Sequence, residues 1–569
     1  MENRKSAAFH NRLVRALLVG GLIVWCVCLW ASGPLYAQVT PPSEQETETP
    51  PESPEAPLPP PAKLISVDFG WSWWDLTGNA GKFRQYATPP NSRFLRELRY
   101  ISPFWRTGDN LRLQFWSPTE DDYRLEGSFS FGFGATRIEA WTTRNRFLMP
   151  VPEPLPTSER TVTESFIKQS LTPEFAVFVR YRQDGQTHHL ETPRTPLLQN
   201  TRYWDAVAEG KLGNGQVSVG YTDWRYFDRT DTFLDTSMER WHARYLWEIS
   251  PAVALEGTVA HMDIRQQNRP NSRMETVNVA TDIALSAATE LALAYRVDNI
   301  RLPVVQNAYL RERRSASALL IHRWNRWSLQ MGVRNREAER VRADHSFVDV
   351  PRWWTVEGRL WGRLNRQLRL TVRGWDERLN DPPTMLTSDA RSLYWDNRRF
   401  AQIKLDGGSA LFNGYLTYTY RYWANDARAV ALNMRGITVG GTWTPNDRLS
   451  LFAELSSEGW SARSEVTTAP TLSNFIPNSR VSTIGFNWNI DSRTNLSATY
   501  TNFVTDHDNP LLLRDANTEG RFLTLNLSHR LPSDYELTLT IAPWSYRDEV
   551  VGLMDYDTQM ILLSLSGRF

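Results

Sequence analysis

From Ile65 to the last residue, apolar and polar side chains alternate with a period of two. In the run beginning at Tyr123, the residues Tyr123, Leu125, Phe129, Phe131 and Phe133 share one parity, while Arg124, Glu126, Ser128 and Ser130 share the other. Successive side chains of a strand point to opposite faces, so this run predicts a strand with one greasy and one polar face. The same pattern recurs at Phe175, Val177 and Val179 against Arg180 and Arg182, at Val217 and Val219 against Ser218, and at Leu368, Leu370 and Val372 against Arg369 and Arg373.

Short turn signals separate these strands in pairs, among them Gly213-Asn214-Gly215, Ser250-Pro251, Trp324-Asn325-Arg326, Asp491-Ser492-Arg493 and Pro532-Ser533-Asp534. They recur about every forty residues, a spacing that also suits propeller or solenoid repeats. The units share no motif beyond the turn, however, and longer polar segments (Gln266–Arg273, Asn335–Asp349, Glu377–Asp396, Thr505–Thr518) alternate with the tight turns. Tight turn, strand, long polar loop, strand is the order of an outer-membrane barrel, with short periplasmic turns and long extracellular loops. A water-soluble sandwich also alternates but rarely keeps one period for so long. The predicted fold is therefore all-β, a closed antiparallel transmembrane barrel of about 22–26 strands over residues 65–569. Tryptophan and tyrosine near strand ends, including Trp71, Trp73, Trp74, Trp204, Trp224, Trp241, Trp353, Trp354, Trp423, Trp460 and Trp544, are expected to form interfacial girdles.

Composition narrows the class further. The 569 residues are 41% hydrophobic with 24 tryptophans, too apolar for a disordered chain. Lys+Arg and Asp+Glu nearly cancel, 64 against 63, so no global basic bias points to nucleic acid. Only six of the 64 cations are lysine, and guanidinium forks suit carboxylate pairing and fixed lumen charge.

The N-terminus carries Arg4, Lys5, Arg12 and Arg15, an apolar core from Leu17 to Trp30, and Leu35-Tyr36-Ala37, which reads as a secretory signal over residues 1–37. The Pro- and Glu-rich stretch Gln38–Ala62 buries too little to fold, making residues 38–64 a disordered periplasmic tail. These features place the protein in the bacterial outer membrane. Both cysteines, Cys26 and Cys28, lie in the signal, so a processed chain is expected to hold no disulfide, thiolate-bound metal or covalent haem. Barrels of about 22 strands need something inside against leakage, and no plug is expected in so short an N-terminal segment.

After the tail comes Gly70-Trp-Ser-Trp-Trp-Asp-Leu-Thr-Gly-Asn-Ala-Gly-Lys-Phe-Arg-Gln-Tyr86, in which Gly78, Asn79, Lys82, Phe83, Arg84 and Tyr86 form a short motif leading from the first strand. This segment resembles the opening of the MtrB/PioB family, large outer-membrane sheaths around multihaem cytochromes. The cysteine pair some members carry near the mature N-terminus is missing here. The resemblance implies a sheath or scaffold for a periplasmic multihaem c-type cytochrome threaded through the lumen, in trans-outer-membrane electron transfer. The alternative reading is a general or anion-preferring diffusion porin or exporter.

No residues suggest an enzyme. The nine histidines are scattered, His188-His189 reads as a solvated loop pair, and no metal-ligand or nucleophile motif stands out, so no cofactor, metal or catalytic site is expected. Opposite the apolar stripe, Arg124, Arg180, Arg182, Arg244, Arg334, Arg359, Arg363, Arg369 and Arg373 are the candidate lumen-lining residues. Such arginines select anions or pair with an acidic partner. The plainer reading is a set of ladders with Glu126, Glu209, Glu357 and Glu454 that satisfies a polar interior.

Overall fold

The structure, a computed structural model, describes residues 64–84, 92–103, 110–117, 123–131, 135–148, 157–189, 197–228, 235–267, 269, 271–301, 309–341, 348–381, 395–425, 430–464, 477–507, 517–549 and 552–569. The signal and residues 38–63 of the tail expected at the N-terminus lie outside these residues, as does Tyr86, whereas Leu64 belongs to the first strand rather than to the tail.

Twenty-six long antiparallel strands form one sheet, each paired with its neighbours in chain order. A two-residue bridge, Val348–Asp349, adds to the edge of Trp327–Val341. The sheet closes on itself because the first strand, Leu64–Gly78, pairs with the second, Ser92–Pro103, on one side and with the last, Tyr556–Arg568, on the other. Ile65 and Phe569 exchange backbone hydrogen bonds at 3.0 and 2.8 Å, so the terminal aromatic completes the seam. Closure leaves no edge with unsatisfied backbone groups, which is what lets strands cross a bilayer.

Residues that face each other across a ladder share a face, so the registers sort every side chain. Leu125 faces Thr142 and Phe129 faces Ile138, while Arg124 faces Thr143 and Glu126 faces Trp141. The face bearing Leu125, Val177, Val219 and Leu370 is the convex one. It leaves Val356, Ile484 and Met331 exposed at 60%, 59% and 54%, which is the lipid-facing belt of a transmembrane barrel. The opposite face lines the lumen.

Many strands exceed the roughly 9–11 residues needed to cross the bilayer. Val430–Asn446 has 17 residues and Trp327–Val341 has 15, so the polar stretch beginning at Asn335 is strand rather than loop as far as Val341. His188 and His189 likewise end the strand Phe175–His189 instead of standing in a loop. The aromatic girdle is also narrower than the sequence suggests. Trp71, Trp73, Trp204, Trp241 and Trp354 point outward, but Trp74, Trp224, Trp353, Trp423, Trp460 and Trp544 occupy inward register positions, because consecutive or odd-spaced residues cannot share a face.

The closest approach to a packed core lies on the inner face at the seam. Phe83, fully buried, sits with Tyr546, Tyr556, Met560 and Ala542, flanked by Trp74, Phe503 and Trp544.

Candidate ligand-binding wall of the barrel lumen

Eight strands from Ser272 to Asn425 turn a concave inner wall toward the lumen. The registers align its charges strand by strand: Asp298 opposite Arg313, Ser317 opposite Arg334, Gln330 opposite Arg359, Arg359 opposite Arg373, and Arg373 opposite Gln402. A hollow of about 670 Å³ opens on this wall, lined by Arg296, Arg313, Arg334, Arg336, Arg359 and Arg373 together with Trp375 and Phe400.

Two buried carboxylates organise the arginines. Asp298, with no exposed surface, accepts from Arg296 at 2.9 Å, from Arg313 at 2.7 Å and from the Thr276 hydroxyl at 2.8 Å. Glu377 accepts from Arg398 at 2.7 Å, from Arg336 at 3.4 Å and from Thr355 at 3.2 Å. Each carboxylate thus holds two guanidinium groups, and each trio carries a net positive charge. Arg373 bonds Gln402 at 2.8 Å and lies 5.5 Å from the Phe400 ring, and Arg359 lies 4.8 Å from the Trp361 ring. Among the described residues, no carboxylate stands within 4.0 Å of the guanidinium of Arg334 or Arg373. Cationic groups fixed beside aromatic faces in a hollow can take anionic oxygens and aromatic rings of one ligand together.

The nine candidate arginines all occupy inward register positions, and they fall into distinct settings. Arg124 pairs with Glu126 at 2.9 Å, Arg244 with Glu256 at 2.8 Å, and Arg180 and Arg182 share Glu164 at 2.7 and 3.7 Å. Arg363 and Arg369 face each other beside the tight turn that joins their strands. Only Arg334, Arg359 and Arg373 enter the hollow. Of the four glutamates expected in ladders, Glu126 bonds Arg124, and Glu454 accepts instead from the Tyr415 hydroxyl. Arg296, Arg313, Arg336, Trp375 and Phe400 were not among the candidates, although Arg296 is visible as the polar parity of Leu291, Leu293, Tyr295 and Val297.

The Gly78–Arg84 segment builds a second feature of the lumen. Gly78 takes φ +99°, and an added Cβ there lies 2.2 Å from the Asp555 carbonyl oxygen, so the chain can turn inward only with glycine. Asn79 donates its N–H to Asp555 at 2.8 Å, and its side-chain oxygen caps the short helix Ala80–Arg84 by accepting from Lys82 N–H at 2.7 Å. The Phe83 ring then lies 5.5 Å from Tyr556, 5.9 Å from Trp74 and 6.5 Å from Trp544. The Lys82 ammonium sits 4.5 Å from the Tyr546 ring, and burial holds its pKa below the usual lysine value against the opposing pull of Asp548.

No family model matches the chain, and no curated relative matches it either. The chain is similar in fold to the siderophore receptor PirA of Acinetobacter baumannii, at 7% identity and TM-score 0.51, over 90% of this chain and 81% of that one. It is also similar to the ferric enterobactin receptor PfeA of Pseudomonas aeruginosa (9%, TM-score 0.49, 90% and 81%) and to the ferric citrate transporter FecA (10%, TM-score 0.41, 90% and 79%).

These likenesses correct the family resemblance. PirA of Acinetobacter baumannii, whose fold this chain shares, is a siderophore receptor, not an MtrB/PioB sheath. The cytochrome-sheath function, its electron-transport role and the multihaem cytochrome in the lumen fall with it, and the diffusion-porin alternative fits no better. The physical reason lies in the motif itself. Gly78, Asn79, Lys82 and Phe83 serve this chain's own seam, through Asp555, Tyr546 and Tyr556, so their spacing needs no partner to explain it.

Proposed function

We propose that this barrel is an outer-membrane receptor that binds an anionic, ring-bearing ligand of the ferric-chelate class on its arginine wall. The observation that supports this reading is the hollow in which Arg334 and Arg373 stand without carboxylate partners among the described residues, beside Trp375 and Phe400. A guanidinium left unneutralised at a partly dry wall favours an incoming anion, and adjacent aromatic faces favour one that carries rings. The fold likeness to a siderophore receptor is compatible with the same role.

The test is uptake. Cells lacking their own ferric-chelate receptors and expressing this chain should accumulate ferric enterobactin saturably under iron limitation. The Arg334→Gln, Arg359→Gln, Arg373→Gln triple variant should lose at least tenfold at low concentration while still assembling in the membrane. Uptake linear in concentration and equal in the variant contradicts the reading.

A further inference from the structure

One rung of the barrel wall is unmade. The strands Thr518–Arg530 and Tyr535–Asp548 pair without a break from Thr518 opposite Asp548 to Phe522 opposite Trp544. They resume in the same register at Leu525 opposite Ile541, which leaves Leu523 and Thr524 unpaired with Pro543 and Ala542. Pro543 stays paired with Gln559 on its other side, so the N–H that proline lacks is the one due to the Leu523 carbonyl. The other prolines in the described strands, Pro103, Pro445 and Pro477, stand at or beside strand ends. Interruptions in other ladders shift the register, as bulges do.

The break lies at the edge of the apolar belt. The next outward positions toward the periplasm are Ile541, Ile561 and Trp73, and the next toward the outside are Ser545, Asp557 and Thr77. At its own level Pro543, Gln559 and Asp75 stand in line, and an outer hollow of about 470 Å³ opens there, lined also by Tyr500 and Leu523.

On the inner face the same level is covered. Ala542, 2% exposed, lies in the seam cluster with the fully buried Phe83. Phe83 lies 6.5 Å from Trp544, and Trp544 meets Phe522 edge-on at 5.3 Å, so rings from both strands close the rung from inside. The Trp544 indole N–H is buried with no hydrogen-bond partner among the described residues, a donor that the closed arrangement leaves unsatisfied and an opening would hydrate. Phe83 belongs to the helix Ala80–Arg84 rather than to the wall, so its departure unpairs no strand.

We propose that Phe83 is the inner latch of a lateral opening at Pro543, through which a single-chain amphiphile passes between the lumen and the outer leaflet. Parting the strands is easiest where a ladder bond is already missing. Three residues separate the last pair before the break from the first after it, about 10 Å along a strand, a width for one acyl chain rather than several. The belt residues below the break suit the chain, and Asp75, Gln559 and Ser545 suit a polar head, so each part crosses at its own level. A wholly hydrophilic ligand gains nothing from a break at this height. The opening is independent of the arginine wall.

The test uses the full barrel in lipid vesicles, with one reporter, Thr524→Cys, on the inner face beside the break of a chain whose other cysteines have been replaced. The probe is lysophosphatidylethanolamine carrying a maleimide on its headgroup, which reaches the inner face only through the wall or over the rim. Phe83→Ala should raise the labelling rate at least tenfold. Adding Pro543→Val, which returns an N–H to the Leu523 carbonyl, should remove most of that rise. Thr419→Cys, on the inner face of an unbroken ladder, should label slowly with or without Phe83 and so measures access over the rim. Heat-modifiable gel mobility shows that each variant is a folded barrel, and Asn79→Ala, which removes only the helix cap, should act in the same direction if Phe83→Ala does not assemble. A rate that loosening the latch leaves unchanged overturns the proposal, as does a rise that Pro543→Val does not reverse. Equal labelling of Thr419→Cys also overturns it, because the probe then enters over the rim.

Discussion

The ring of Phe83 stands 5.5 Å from that of Tyr556 at an interplanar angle of 66°, joining a five-residue helix inside the lumen to the strand that closes the barrel. Such edge-to-face pairs add about 0.5–1.5 kcal/mol beyond the area they bury. Phe83→Ala should remove most of the helix's anchorage, at a cost of about 3–5 kcal/mol for a buried phenylalanine. Hydrogen exchange should rise at the amides of Lys82 and Phe83, with the strand amides away from Pro543 unchanged. Gly78→Ala should give the same local release through its clash with the Asp555 carbonyl.

Asp298 ties three strands together through Thr276, Arg296 and Arg313. Asp298→Asn leaves two half-exposed guanidinium groups on the inner wall without their shared anion, and losing charged hydrogen bonds of this kind costs about 1.5–3 kcal/mol. The thermal midpoint in detergent should drop clearly, and a second substitution, Arg313→Leu, should restore part of it, because the uncompensated cation is then gone.

The two faces differ in what they tolerate. Val356→Arg puts a charge on the lipid side part-way along its strand and should cost up to about 2–4 kcal/mol, whereas Arg369→Leu on the inner face should cost far less. Equilibrium unfolding from lipid vesicles measures both. Placing Leu370→Cys and Arg369→Cys in a chain whose two cysteines have been replaced should show quenching by brominated lipid at 370 and reaction with a water-soluble reagent at 369.

That division into faces is readable from parity alone, since Arg124 next to Leu125 and Arg369 next to Leu370 alternate without interruption. What parity hides is register. Arg334, Arg359 and Arg373 lie on three different strands, and only the pairings of Gln330 with Arg359 and of Arg359 with Arg373 bring the latter two side by side. Parity also forbids Trp73 and Trp74 from sharing a girdle, a constraint the mere density of tryptophan conceals. The Gly78–Phe83 motif stands out in the sequence as an odd segment, but its meaning depends on Asp555 and Tyr556, brought beside it by barrel closure.

At a periplasmic turn, Asp491 accepts hydrogen bonds from the N–H groups of Arg493 and Thr494 at 2.7 and 2.8 Å and from the Thr494 hydroxyl at 3.0 Å. These donors hold its carboxyl below the usual aspartate pKa. A carboxylate depressed on folding stabilises above its unfolded value, about 3.9, and that contribution disappears as pH falls through the lower folded value. The difference in unfolding midpoint between the wild type and Asp491→Asn should therefore be constant above about pH 5 and shrink on acidification below about pH 4.

The proposed receptor function rests on the arginine wall, and equilibrium binding interrogates that wall without the complications of transport. Titrating the detergent-purified barrel with ferric enterobactin and following tryptophan fluorescence should give saturable quenching that weakens with added salt, because guanidinium–anion contacts are screened. The Arg334→Gln, Arg359→Gln, Arg373→Gln variant should bind at least tenfold more weakly. Quenching that never saturates, or an affinity equal in wild type and triple variant, would contradict the assignment of the wall as the ligand site.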